Sequence, residues 1–225
     1  SILLATGRRP APVLAEIEAR ARGQRVSIRE VHMRELEEMA PGATTQGVAA
    51  LVSIQRLASV EELAATVARI SATPFILVLD QVQDPHNFGA LLRSAEATGI
   101  QAVVVPERRS APLAGTVAKT SAGALSLLPI LQVTNLTRAL SELKQSGIWT
   151  VGLDAAAGAG LFDADLTVPL ALVIGGEGEG LRRLTRESCD LLVKLPMRGS
   201  IESLNASVAG SVAMFECVRQ RATAS

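Results

Sequence analysis

The sequence predicts an α/β chain in two parts. A small α/β domain occupies residues 1–70, a linker 71–74, and a larger domain 75–225 with a parallel sheet covered by helices on both faces. Three observations carry this. Runs such as FILVLD (75–80) and PLALVIG (169–175) are apolar throughout rather than alternating, as strands buried on both faces are. Amphipathic helical stretches fall between such runs in regular order. At 225 residues the chain is long enough for two domains or one large one, each burying a proper core.

The elements follow in order. SILLAT (1–6) reads as a strand, and residues 10–22 as a helix that Gly23 ends. RVSIREV (25–31) is a second strand, a short acidic helix spans 33–39 before Pro41-Gly42, and TQGVAALVS (45–53) is a third strand. A helix over 60–71 has Ser59 as N-cap and Glu62 three residues on, the spacing of a capping box. Ser71-Ala72-Thr73-Pro74 reads as a hinge. Beyond it the strands are 75–80, 101–106, 127–133, 148–153, 169–175 and 190–196. Helices lie near 88–98, 112–124, 135–146, 180–188 and 203–221.

Composition narrows the function. A hydrophobic content of 48% with 20% charged residues describes a soluble globular protein, and no apolar run approaches the roughly 18 residues of a membrane span. Only Cys189 and Cys217 occur, without metal-ligand spacing, so the expectation is a reducing cytoplasm and no metal. Net charge is zero, against a non-specific polyanion binder, although a local patch would suffice for RNA. The cations are 19 Arg and 3 Lys; arginine suits bidentate phosphate contacts, and a GC-rich genome gives the same bias. Tyrosine is absent and other aromatics are scarce, which argues against base stacking on exposed rings.

Three segments stand where open parallel sheets bind ligands, at the carboxyl ends of strands. In LDQVQDPHNFGALLRSAEATG (79–99), a turn leads into a helix carrying Asn87 and Arg93. Six residues apart, these two lie about 120° out of alignment on a regular helix. LVIGGEGEGL (172–181) is glycine-rich, yet it has Glu177 and Glu179 and no lysine. It lacks the Lys-Ser/Thr pair of a Walker loop and the spacing of a dinucleotide fingerprint, which also excludes a nicotinamide dehydrogenase. Two carboxylates would repel a diphosphate, so the loop suits a ligand that is neutral or cationic there. In PMRGSIESLNASVAGSVAMFECVRQR (196–221), Ser200, Ser203, Asn205 and Ser207 crowd a helix start, and Ala206, Ala209, Gly210 and Ala213 permit close backbone approach. Each segment alone is equally well read as turn, capping or packing chemistry.

In this order and spacing, DPHNFGALLRSAEATG, LVIGGEGEGL with LPM, and GSIESLNASVA resemble the motifs of the SpoU/TrmH family of RNA ribose 2′-O-methyltransferases, in the SPOUT superfamily. The resemblance covers residues 75–221. The first 70 residues, with TTQGVAAL (44–51) where an HQG-type sequence is usual, resemble the ribosomal-protein-like substrate-binding domain of the RlmB-like branch, its opening strand and helix shortened. That branch methylates a guanosine ribose in large-subunit (23S) ribosomal RNA.

The resemblance implies S-adenosylmethionine as methyl donor, a homodimer, and a C-terminal trefoil knot that periodicity does not reveal. It implies that Gly175, Gly176, Gly180, Leu195, Met197, Ser203 and Leu204 hold the donor, and that Arg93, Asn87, Glu177, Ser203 and Asn205 shape the acceptor site. The family assigns the position of Arg93 a general-base role; a guanidinium with a pKa above 12 serves equally well as an electrostatic partner of the 2′-oxygen or a phosphate. Arg8-Arg9, Arg108-Arg109 and Arg182-Arg183 are candidate phosphate contacts. Two rival readings stay open: the same chemistry on a transfer RNA or another ribosomal nucleotide, as in antibiotic-resistance enzymes, and a non-catalytic RNA-binding or assembly protein.

Overall fold

A computed structural model describes residues 1–9, 11–39, 45–70, 73–178, 180–201 and 203–223. They divide into two units, Ser1–Ser53 and Ile54–Ser225. In the smaller, β1 (Ile2–Ala5), α1 (Pro12–Gly23), β2 (Ile28–Val31), α2 (Met33–Met39) and β3 (Val48–Ala50) make a three-stranded sheet of order β2-β1-β3. β1 is parallel to β2 and antiparallel to β3. Leu3, Ala5, Val31 and Leu36 form its core. Pro12 opens α1, where its missing N–H costs nothing. Gly23 is the helix's last residue; the left-handed position after it falls to Arg25 (φ 56°) instead. Pro41-Gly42 lies outside the described residues.

The larger unit begins earlier than the sequence predicts. β4 (Arg56–Leu57) and α3 (Val60–Ile70) belong to it, not to the small domain. β4 pairs in parallel with β7 (Ile130–Val133), and Val60, Leu63 and Val67 on one face of α3 pack into the large core. The boundary therefore falls near residue 53 rather than 70. Of the expected linker, Ser71 and Ala72 lie outside the described residues, and Pro74 directly precedes β5, its carbonyl accepting from Leu170 N (2.9 Å). The α3 cap forms in altered shape. Glu62 N donates to Ser59 Oγ (3.2 Å), while the Glu62 carboxylate receives the N–H of Ala58 (2.7 Å) rather than that of Ser59.

The remaining strands and α-helices are β5 (Phe75–Asp80), α4 (Pro85–Ala97), β6 (Ala102–Pro106), α5 (Thr116–Thr120), α6 (Ala124–Leu127), α7 (Leu136–Gln145), β8 (Trp149–Leu153), β9 (Ala159–Gly160), β10 (Leu170–Gly175), α8 (Arg183–Ser188), β11 (Leu191–Lys194) and α9 (Ala206–Thr223), with one short 3-10 turn at Leu161–Asp163. The single helix expected over 112–124 is two short ones, broken where Ala122 (φ 50°) and Gly123 (φ 96°) turn left-handed. Eight parallel strands stand in the order β4-β7-β6-β5-β10-β8-β11-β9.

Period-two alternation sends the central strands into two cores. Phe75, Leu77 and Leu79 of β5, with Leu170, Leu172 and Ile174 of β10, meet α4, α5, α6 and α9. Ile76 and Val78, with Ala171 and Val173, meet α3 and α7. From β5 the chain proceeds outward to β6 and β7, and from β10 to the opposite side, to β11. β5 and β10 are thus adjacent where the connectivity reverses, and the crevice beyond their carboxyl ends is where such sheets bind ligands.

Candidate active site

Beyond β10 the chain makes a closed loop that only glycine permits. Gly176 N donates to Asp80 O (2.9 Å), and Gly180 N returns to Gly176 O (3.1 Å). A Cβ on Gly175 would overlap the carbonyl group of Gly180 and the amide of Leu181, and one on Gly176 would meet Gln81 O at 2.5 Å. Gly178 and Gly180 take φ of 80° and 64°. The fully buried Asp80 clamps the exit of the loop, accepting from Arg182 N (3.0 Å) and Arg182 Nε (2.7 Å). Glu179 lies outside the described residues.

The three segments converge on one carboxylate. Glu177 Oε1 accepts from Asn87 Nδ2 (2.6 Å) and Asn205 Nδ2 (2.6 Å), and Asn205 Nδ2 also donates to Asn87 Oδ1 (3.0 Å). Each asparagine is fixed from behind. Asp84 caps α4 by accepting Asn87 N (2.8 Å), which places Asn87 inside the helix rather than in the turn before it. Asn205 Oδ1 accepts Ser207 N (2.9 Å), Ser207 Oγ (2.6 Å) and Val208 N (3.3 Å), and so caps α9. Glu177 Oε2 has no protein partner among the described residues.

Beside this cluster lies a cleft of about 540 Å³, within the usual range for small-ligand sites. Its walls are the glycine loop, Leu153–Ala156 at the end of β8, Leu195 and Met197 after β11, and Ser203–Ala206 at the start of α9. Ile174 and Ala209 add apolar surface. Its lining cation, Arg186, lies 2.6 Å from the buried Asp154 Oδ2, an ion pair not aligned as a hydrogen bond. The cleft therefore has apolar walls, exposed backbone, and net negative charge from Glu177.

The profile of the SpoU rRNA Methylase family matches residues 74–215, the span that builds this cleft. The chain belongs to that family. A relative from Xanthomonas campestris pv. campestris, named 23S rRNA (guanosine-2'-O-)-methyltransferase RlmB, is 50% identical over 210 residues, 93% of this chain and 84% of its own. The protein of that name from Pectobacterium atrosepticum is 47% identical over 214 residues, 95% and 86% of the two chains. Among solved structures, the SpoU methyltransferase AviRb from Streptomyces viridochromogenes superposes with a TM-score of 0.79 at 27% identity, covering 99% of this chain and 82% of that one. AviRb in complex with the cofactor AdoMet superposes with a TM-score of 0.76 at 26% identity, covering 99% and 83%.

Gly175, Gly176, Gly180, Leu195, Met197, Ser203 and Leu204, the expected donor residues, all line the cleft. Asn87, Glu177 and Asn205 meet as described. Arg93 does not join them: it is exposed on α4 and makes no side-chain bond among the described residues, as its 120° offset from Asn87 requires. The arginine pairs divide. Arg8 is held by Glu18 (2.7 Å) and Glu30 (3.3 Å), Arg182 by Asp80, and Arg183 by Glu187 (2.7 Å). Among the described residues, Arg9, Arg108 and Arg109 are exposed without such partners. Sequence reasoning missed Asp154, Ala155 and Ala156, although an aspartate directly after the strand 148–153 repeats the signal that Asp80 gives after β5. No group of residues suited to a metal ion occurs among the described residues, and no helix is long and apolar enough to cross a membrane.

Proposed function

We propose that this chain uses S-adenosylmethionine to methylate a ribose 2′-hydroxyl, of a guanosine, in 23S ribosomal RNA. The observation that carries the proposal is the Asn87–Glu177–Asn205 cluster at the edge of a cleft walled by glycine backbone and apolar side chains. That cleft suits the donor. Its apolar walls match an adenine ring and its negative charge a sulfonium, whereas a diphosphate would meet Glu177 and no unpaired cation. S-adenosylmethionine, when bound, supplies an electrophilic methyl group. The backbone of Gly175, Gly176 and Gly180, with Leu195, Met197, Ser203 and Leu204, is the part of the chain that would hold it.

The remaining work falls to positioning. The two asparagines occupy Glu177 Oε1, so Oε2 is the atom offered to an acceptor hydroxyl. A preset rotamer removes part of the entropic barrier to alignment. Ser203, also on the cleft wall, supplies a further hydroxyl near the acceptor. Arg93, exposed on α4, acts on RNA through its guanidinium, on the 2′-oxygen or its phosphate.

We extend the proposal to a cytoplasmic homodimer with a threaded, trefoil-knotted C-terminal segment. Exposed Phe162, Val212 and Phe215 favour self-association through α9. Residues 203–205 return to the glycine loop before α9 begins, as a threaded segment must. Residues 1–53 would select the RNA. The test is mass-spectrometric mapping of ribose-methylated nucleotides in ribosomal RNA from cells with and without the gene. Loss of one 2′-O-methylguanosine in 23S RNA is the expected result; an unchanged map refutes the assignment.

A further inference from the structure

A second cavity, of about 410 Å³, lies wholly within the larger unit. It shares Gly176, Glu177 and Gly180 with the donor cleft and otherwise differs from it. The cleft draws on the chain after β8 and β11; the second cavity draws on the chain after β5 and β6, through Gln81, Gln83 and Arg109, and on Arg182. The glycine loop is thus a wall common to both, with Glu177 on it.

The lining of this cavity is poised for a partner outside the protein. Among the described residues, the side chains of Gln81, Gln83 and Arg109 make no hydrogen bond or ion pair, although they offer two carboxamides and a guanidinium. Gln81 (φ 60°) and Arg109 (φ 58°) are both left-handed, a conformation that non-glycine residues adopt only when their surroundings impose it. Neighbouring structure imposes it. Ala111 N donates to Val82 O (3.0 Å), tying the two loops together, and Gln81 O abuts Gly176. Strain held in place by such contacts collects at ligand sites. Asp80 offsets Arg182, and Glu177 sits on the wall shared with the donor cleft, so among the described residues Arg109 is the guanidinium of this lining without an ion-pair partner.

We infer that this second cavity seats the RNA strand beside the methylated ribose. Arg109 binds one phosphodiester, Gln81 and Gln83 hydrogen-bond the adjoining nucleotide, and the acceptor ribose lies at the Glu177 wall, next to the donor cleft. The inference rests on the methyltransferase reading above.

The test uses the full chain, deproteinised 23S ribosomal RNA and S-adenosylmethionine. Arg109→Asn removes the charge while keeping a residue that tolerates the left-handed backbone. It should weaken RNA binding about tenfold, as loss of a charge-assisted hydrogen bond does. The slope of log affinity against log salt should also flatten by about one phosphate contact. KM for RNA should rise with kcat near wild type, calorimetric affinity for the donor should not move, and Arg109→Lys should restore the salt slope. Gln83→Ala should raise KM without altering that slope. If Arg109→Asn binds RNA with wild-type affinity and slope while the wild type methylates it, the subsite is refuted and the activity stands. If wild type transfers no methyl group but Arg109→Asn still flattens the slope, the activity assignment fails and the subsite stands.

Discussion

Glu177 Oε1 receives two short hydrogen bonds, so the rotamer of this side chain is set before any ligand arrives. Glu177→Gln keeps an acceptor for the two asparagines and turns the free oxygen into a donor. If Oε2 accepts the 2′-hydroxyl, that change should lower kcat on the order of 10²-fold, the scale of one preorganised polar contact. Donor affinity by calorimetry should stay within a few-fold, and unimpaired turnover would remove Glu177 from the chemistry. The two cysteines make a different prediction. Burial pushes the thiols of Cys189 and Cys217 up to about 12, with the Asp190 carboxylate adding to the effect at Cys189. An unfolded thiol titrates near 8.5, so above about pH 9 the unfolded chain sheds protons that the native one keeps. Stability from this source is intact below that pH and declines as pH rises toward 12. Tm measured from pH 8 to 11 should fall, and Cys217→Ala should show a shallower fall from a lower starting point.

At the level of elements, the glycine loop and α9 respond oppositely to the same substitution. A methyl group on Gly175 meets backbone of Gly180 and Leu181, which cannot yield without opening the loop. A methyl on Gly210 meets the side-chain ends of Ile174 and Leu91, each at 2.5 Å, which can rotate away. Gly175→Ala should therefore abolish donor binding, whereas Gly210→Ala should bind donor normally with a Tm lower by only a few degrees; the reverse ranking would contradict the loop geometry. Much of this scale was legible in the sequence. The long apolar strands and amphipathic helices carry their own period, and the small residues of 206–213 mark the close packing of α9 on α4 and β10. β4 and β9, two residues each, have no period to read and exist only because a distant strand offers hydrogen bonds. The site was legible through family resemblance alone, because Asn87, Glu177 and Asn205 are separated by 90 and 28 residues and no spacing rule joins them.

For the whole molecule, the placement of β4 and α3 decides where the chain can be divided. The hinge-like Ser71-Ala72-Thr73-Pro74 suggested a cut near 70, since local composition cannot register that β4 pairs with a strand more than 70 residues away. A chain beginning at Ile54 should melt cooperatively and bind S-adenosylmethionine like the full protein. One beginning at Thr73 should expose the apolar floor beneath Val60, Leu63 and Val67 and aggregate. Equal solubility and Tm of the two would return the boundary to residue 70. If residues 1–53 select the RNA, the chain from Ile54 should also methylate 23S RNA more slowly or at extra positions, read by nucleotide mapping.

Asn205 belongs to two structures at once. Its carbonyl oxygen holds the first amides of α9 while its nitrogen holds Glu177. The protection of the Ser207 and Val208 amides against solvent deuterium is therefore a gauge of the site itself. A ligand that draws on Glu177 should slow exchange at those two amides. In a genome, any mutation that frays this single helical turn would silence the enzyme while sparing the fold, a failure that abundance measurements would not detect.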